Sequence, residues 1–283
     1  MKKIKICGVK MILLIGIIGT VALLAYILIF PYSPVVGEYH QLQTEAERKL
    51  TPKNDKITVS DLQRLPNLFQ EYYIANGYIG QPFINHFEIS ASQAYFKLGS
   101  DKPEISINYY VDDYLGSTVE RLAFIDGRLF LMPFQGIDSY IDGQGGMKGI
   151  VAKHIQLFNE RSDAMSEAAL LTYLSEIFIH PAFLLQETIA FKELDDYSVQ
   201  VSIRDSGQTV SGVYYFNNAK QITSFSVEER YCDETKSYES WEAIFDNYQL
   251  SNGVSLPKMM QAVWHFKTGD LLYFDSDDIV VNW

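Results

Sequence analysis

The sequence predicts a mainly β protein of the α+β class. It reads as a long antiparallel sheet coiled into a half-barrel with covering helices, behind one transmembrane helix. Three observations carry this. The run from Met11 to Phe30 has twenty residues and no charge. From Phe83 onward, segment after segment alternates apolar and polar residues, the period of antiparallel strands with one wet face. Two stretches break that period with helical spacing, one ahead of the strands and one between two sets of them.

A helix rising about 1.5 Å per residue over that run is about 30 Å long, the thickness of a bilayer's hydrocarbon core. It bonds its own backbone, so lipid imposes no polar cost. Lys2, Lys3, Lys5 and Lys10 precede the run and Pro31-Tyr32-Ser33-Pro34 follows it. Because positive charge stays cytoplasmic, the expected order is a basic cytoplasmic tail over 1–10, a membrane helix over 11–31, a stalk over 32–57 and an extracytoplasmic β-rich domain over 58–283. A cleaved signal peptide is the rival reading, but its apolar part spans about 7–15 residues and ends in a small-x-small site, which this run lacks. A lipoprotein cysteine would follow the run, whereas Cys7 precedes it.

Hydrophobic residues make up 47% of the chain and aromatics 14%, enough to bury a large core and to exclude disorder for most of it. All 35 acidic residues follow the apolar run while four of the 23 basic ones precede it, so the outer part is more acidic than the formal −12 of the whole chain. That argues against nucleic acid and against broad adhesion to anionic head groups. Cys7 and Cys232 fall on opposite sides of a membrane in this topology, so no disulfide is expected, and Cys232 reads as a small core residue.

In chain order, the stalk segment has helical composition with only a thin apolar stripe and a solvated His40, and Thr51-Pro52-Lys53-Asn54-Asp55-Lys56 closes it. Next, Ser60 with Gln63 reads as a capping box, Pro66 suits a helical first turn, Leu65, Phe69 and Tyr72 share a face, and Gly77 fits a left-handed stop. In the first strand Phe87, Ile89, Ala91 and Tyr95 fall on one face, opposite His86, Glu88, Ser90 and Ser92. Ile105, Ile107, Tyr109 and Val111 repeat the pattern. Asp126-Gly127 reads as a two-residue hairpin turn, and the strand through Asp138 and Tyr140 runs to a turn at Asp142-Gly143. The strands then stop. A helix capped by Ser162 or Asp163 runs to Ile179 with Leu170, Leu174, Ile177 and Phe178 as its stripe, and Pro181 ends it.

The second strand set begins near Ser198, turns at Asn217-Asn218, Ser251-Asn252-Gly253 and Thr268-Gly269-Asp270, and ends at Trp283. That makes about ten strands, too many for a flat sheet, so twist coils them.

Several motifs carry a resemblance over residues 62–283. They are Leu65-Pro66, Gly136-x-Asp138-Ser139-Tyr140-x-Asp142-Gly143-x-Gly145-x-Met147, and Tyr173-Leu174-x-Glu176 leading to Pro181-x-x-Leu184-Leu185. Arg230-Tyr231, Trp241, and Pro257 ahead of Trp264 extend them. On these residues the chain resembles an uncharacterised bacterial family of membrane-anchored proteins of unknown function. It departs from the pattern at Ile179-His180, where an aromatic pair is expected. The order helix, strands, helix, strands is similar to the lipoprotein-carrier half-barrels of the bacterial envelope, which hold acyl chains under helical lids. The resemblance implies a fold and a location, with no reaction, cofactor or catalytic residue.

The sequence has no G-x-S-x-G, H-E-x-x-H, Walker loop or C-x-x-C. Asp138, Tyr140 and Asp142 alternate on a strand and share a face; the two acids read either as a metal-binding pair or an acid and base acting on envelope lipid or glycan, or as a turn closing on its own amides. His180 sits at a helix end, where the dipole favours its charged form; it reads as structural there, or as a proton-transfer group. Arg230 reads as an anion-binding group or as an ordinary surface ion-pair partner. Trp241 and Trp264 read as core, or as the lining of a lipid or sugar pocket. His86 and His265 fall on polar faces, His154 lies in an unassigned segment, and no pair of histidines has zinc spacing. Asp275, Asp277 and Asp278 lack the Gly and Glu of a calcium loop. The reading that unites these features is a membrane-tethered protein binding an apolar or amphiphilic, lipid-like ligand, with no cofactor or metal. An envelope enzyme and a pocketless partner-binding module are the alternatives.

Overall fold

The computed structural model describes residues 2–30, 32–51, 55–116 and 118–283, with side chains from Lys10 onward. Pro31, the Pro52, Lys53 and Asn54 that close the expected stalk, and the side chains of Lys2, Lys3, Lys5 and Cys7 lie outside the described residues. Helix α1 (Lys2–Ile29) takes in the apolar run up to its last residue, and none of its described side chains is buried.

The segment expected as a stalk is instead helix α2 (Pro34–Arg48), docked on the sheet. Ser33 Oγ accepts the Val36 N–H at 3.2 Å, and Pro34 opens the helix where its missing N–H is harmless. Val35 and Tyr39 pack against Leu122, Phe124, Ile137 and Ile150. Because Ala123 and Ile125 belong to the main core, α2 covers the opposite face of the sheet. The Tyr39 hydroxyl donates to Asp112 Oδ2 at 2.7 Å, and His86 Nε2 bonds Oδ1 at 2.8 Å.

Two short helices follow, α3 (Val59–Leu62) and α4 (Asn67–Ala75). The capping box is Thr58 with Asp61, not Ser60 with Gln63: the Thr58 N–H donates to Asp61 Oδ2 at 2.8 Å. A carboxylate is the stronger acceptor for a free amide at a helix start. Pro66 sits at the N-cap of α4, and Gly77 takes the left-handed φ of +89°.

All fourteen strands among the described residues join one sheet. The first antiparallel meander is β1 (His86–Lys97), β2 (Glu104–Leu115), β3 (Val119–Leu129), β4 (Met132–Ile141), β5 (Gln144–Val151) and β6 (Ile155–Arg161). The second is β7 (Ile189–Asp195), β8 (Ser198–Asp205), β9 (Gln208–Phe216), β10 (Ile222–Cys232), β11 (Ser237–Ser251), β12 (Val254–Phe266) and β13 (Gly269–Ser276). They join where β1 pairs with β13, and β14 (Ile279–Asn282) also pairs with β1.

Strands β5, β6 and β7 are not among the roughly ten expected from alternation. Glycines 145, 146 and 149 interrupt any apolar pattern in β5, and the side chains of β6 are largely exposed. Asp126-Gly127 is not a turn but lies inside β3; the turn falls at Phe130-Leu131. A Cβ at position 127 would sit 2.8 Å from Ile107 Cγ2 and Ser106 O, so this glycine serves the close crossing of β2. In β1 a bulge at Ser92-Gln93 shifts the parity, which buries Ala94 and Phe96 and turns Tyr95 outward.

Between the meanders runs α5 (Asp163–Glu176), extended by a tighter turn at Ile177–Ile179 and followed by α6 (Pro181–Leu184). Helix α5 contacts β3 to β6 on one side and β9 and β10 on the other, so the sheet wraps round it. It is not a lid with one apolar stripe: Ser166, Ala169, Leu170, Tyr173, Leu174 and Glu176 are all buried.

A buried helix leaves its last carbonyls without water. Three tyrosines replace it. Tyr73 donates to Phe178 O at 3.0 Å, Tyr78 to Ile179 O at 2.6 Å, and Tyr214 to Leu174 O. At the other end Ser162 Oγ caps Met165 N–H at 3.1 Å. Tyr78→Phe therefore strands a buried carbonyl, and urea unfolding of residues 32–283 should show a loss of about 1–3 kcal/mol. A loss within error would mean that the carbonyl is satisfied some other way.

Candidate functional site

The curl brings the two meanders together on the concave side. Tyr140 OH of β4 donates to Asp205 Oδ2 of β8 at 2.7 Å. At Gly143, with φ +76°, a Cβ would fall 2.2 Å from Ser206 Cβ, so only glycine fits this turn-on-turn contact. Across the rim, the Ser100 N–H donates to Glu234 Oε1 at 2.9 Å, tying the β1–β2 turn to the β10–β11 turn.

Between these contacts lies a cavity of about 450 Å³, within the roughly 300–1,000 Å³ range of ligand pockets. Strand side chains such as Ile89, Ile125, Met260 and Phe274 form one wall. The other is the small-residue face of α5, with Ala168, Ala169 and Thr172. Hydrophobic groups dominate the lining, and the charged ones stand at defined places within it.

Arg230 is one. Its guanidinium lies 4.6 Å from the Trp241 ring and 4.9 Å from the Trp264 ring. Its Nη2 donates to Thr172 Oγ1 at 2.8 Å and its Nε to Ala168 O at 3.4 Å. Among the described residues no carboxylate lies within ion-pair distance of it, although the charge of Glu176 reaches it, so it is not the surface ion pair that acidic composition suggests. Trp241 Nε1 donates to Tyr273 OH at 3.0 Å, which fixes one indole of the sandwich.

Arg121, fully buried on β3, is not in the lining itself but holds two carboxylates that are, Glu176 and Asp138. Its Nε and Nη2 fork onto Glu176 at 2.6 and 3.0 Å, its Nη1 bonds Asp138 Oδ2 at 2.9 Å, and its Nη2 also bonds Tyr109 OH at 2.7 Å. Burial alone would lower the guanidinium; Glu176, Tyr109 and Asp138 outweigh it and hold it charged. Burial raises the Glu176 carboxyl, and the Arg121 fork pulls it back. Asp113, inward on β2, is different. Burial and then Glu176 push its carboxyl well above the usual range, and neither oxygen has a hydrogen-bond partner among the described residues. Both causes favour its protonated form.

The cavity thus gathers Asp138, Arg230, Trp241 and Trp264 of the residues singled out in the sequence, but not Tyr140, Asp142 or His180. Asp142 is in the turn with φ +50°, its side chain 72% exposed and bonded to Lys49 at 2.8 Å. Asp138 and Asp142 therefore do not form an acid pair. Tyr140 is held by Asp205. His180 is fully buried: its Nδ1 accepts the Ala182 N–H at 3.2 Å and its Nε2 bonds Pro82 O at 3.1 Å. Both bonds together require a bare Nδ1 and a protonated Nε2, the neutral ring. It caps the start of α6, where a charged ring is not favoured, and burial lowers its pKa to about 3.

Arg121, Glu176, Tyr109 and Asp113 were not read as a site. Their one signal is a charged or polar residue inside an apolar run, as in Val119–Leu129. No group of His, Cys, Asp and Glu among the described residues has the arrangement of a metal site.

The neutral state of His180 has a pH signature. The unfolded chain protonates near 6.5 and the folded one near 3, so stability falls as pH drops between those values. His180→Asn should be less stable than the parent at pH 7. By pH 5 the parent should have lost about 2 kcal/mol that the variant keeps, narrowing the gap in urea unfolding. A constant gap over that range would contradict a buried neutral ring.

The chain belongs to a family of unknown function (DUF6544), whose model matches residues 55–276, in line with the resemblance read from its motifs. Among solved structures it is similar to a domain named for outer membrane lipoprotein sorting from Vibrio parahaemolyticus. That match has 11% identity and a TM-score of 0.42, covering 76% of this chain and 91% of that one. It is also similar to a DUF1329 family protein from Desulfovibrio piger ATCC 29098, at 10% identity and a TM-score of 0.42, covering 81% of this chain and 94% of that one. No curated protein matches the sequence.

Proposed function

We propose that this member of DUF6544 is a membrane-tethered binding protein that takes an apolar or amphiphilic, lipid-like ligand into the half-barrel. In this reading α1 spans the membrane with its N-terminus cytoplasmic, and the sheet lies outside the cell. The observation that carries the proposal is a largely apolar cavity of about 450 Å³ holding an arginine that has no carboxylate within ion-pair distance among the described residues, with Glu176 the acid whose charge reaches it. Apolar lining gives roughly 25 cal/mol for each Å² of ligand surface withdrawn from water. Arg230 would supply charge-assisted hydrogen bonds to an anionic head group. Its two indoles hold the guanidinium flat, so little side-chain entropy remains to be lost on binding. The enzymatic reading draws no support, because Asp138 is committed to Arg121 and Asp142 stands apart in a turn.

No described side chain of α1 is buried, so residues 32–283 keep the whole core. On that fragment, cis-parinaric acid should bind saturably, read by energy transfer from Trp241 and Trp264 at the cavity wall. Arg230→Gln should weaken the acid about tenfold and leave parinaryl alcohol within about twofold. Absence of saturable binding, or equal loss for acid and alcohol, would contradict the proposal.

A further inference from the structure

The β3–β4 turn breaks the rules that form turns. Its tip is Phe130-Leu131, with 83% and 80% of the two residues exposed. Phe130 adopts a left-handed φ of +56°, a conformation that favours glycine or asparagine. Folding gains nothing from a strained phenylalanine held out in water. The neighbouring β5–β6 turn, bonded to this hairpin through Ala152 N–H and Pro133 O at 2.9 Å, leads into Ile155, 60% exposed, and Leu157.

Helix α1 ends at the same place. Tyr26 OH bonds His154 Nε2 at 2.9 Å, and their rings stack with centroids 5.9 Å apart. Lys153 Nζ bonds the carbonyls of Phe30 and Tyr32. The last turn of α1, at the end of the uncharged run, is thus fixed to the β5–β6 turn, with aromatic and basic groups at the level where a membrane helix meets the head groups.

We infer that the Phe130-Leu131 tip and the β5–β6 turn form a membrane-seating surface, which dips into the interface of the bilayer that holds α1. The continuity of this apolar edge with α1 names a lipid surface as its partner. The chain's acidity makes the contact apolar rather than electrostatic, so it does not need anionic lipid. The β1–β2 turn, whose Leu98 and Lys102 line the cavity, lies at the same end of the first meander. Seating would therefore turn the cavity opening toward the lipid. That consequence rests on the binding reading above; the seating itself rests only on α1 occupying a bilayer.

The test uses the full chain with Cys7→Ser, reconstituted in phosphatidylcholine vesicles and labelled with the environment-sensitive dye NBD at one introduced cysteine. The unsubstituted parent, labelled in parallel, corrects for any reaction at buried Cys232. Leu131→Cys reads the tip, Ile18→Cys the middle of α1, and Leu250→Cys an equally bare residue at the end of β11, beside the β11–β12 turn of the second meander, 78% exposed. The dye at 131 should emit to the blue and be quenched by nitroxide-bearing lipids, equally with and without added phosphatidylglycerol, while the dye at 250 stays in water. Quenching at 18 but not at 131 overturns the seating and leaves the anchor standing. No quenching at 18 overturns both. Equal quenching at 131 and 250 overturns the assignment to this edge.

Discussion

A helix enclosed by a sheet must satisfy every polar group without water, and the rest of this molecule is arranged around that constraint. Helix α5 has Ser162 at its start, and Ser166 Oγ accepts the Gly145 N–H at 2.8 Å. A Cβ at Gly145 would fall 2.6 Å from Ser166 Cα, so the strand approaches the helix as closely as backbone allows. At its end, tyrosines from α4, the following loop and β9 take the carbonyls, and Arg121 takes Glu176. Because these partners come from both meanders, the curl of the sheet and the placement of the helix are one event. A buried pair such as Arg121 with Glu176 adds little net stability over apolar packing, but losing one partner leaves a stranded charge. Its role is to fix position.

The cavity follows from the same helix. Its Leu170, Tyr173, Leu174 and the following Phe178 fill the sheet tightly, whereas Ala168, Ala169 and Thr172 present little volume to the opposite wall. The room left there is partly taken by the Arg230 sandwich. The buried charges beside α5 are held in place: Arg121 is bonded to Glu176 and Asp138, burial pushes the Asp113 carboxyl well above its usual range, and Arg230 has no carboxylate within ion-pair distance among the described residues.

Local rules made much of this legible. The uncharged run, the Ser162 cap, the alternation in β2 and β8, and the turns at Asp142-Gly143 and Asn252-Gly253 depend on near neighbours in sequence, and the structure has them. What could not be read depends on distant partners. Asp126-Gly127 has turn chemistry, yet its glycine answers to Ile107 across the ladder. One bulge reversed the faces of half of β1. Helix α2 looked too thinly apolar to dock because Tyr39 does so partly through a hydrogen bond to Asp112. Arg230, Trp241 and Trp264 were separately visible, but their stacking exists only once β10, β11 and β12 are side by side.

The central claim is that the hollow beside α5 is a place for an amphiphile and not a packing gap. Native mass spectrometry of residues 32–283, purified from cells without detergent, tests it most directly. The account predicts a reproducible extra mass that organic solvent removes and that proves to be a single class of anionic lipid-like molecule. A clean mass for the protein alone, unchanged after incubation with envelope lipids, would contradict it.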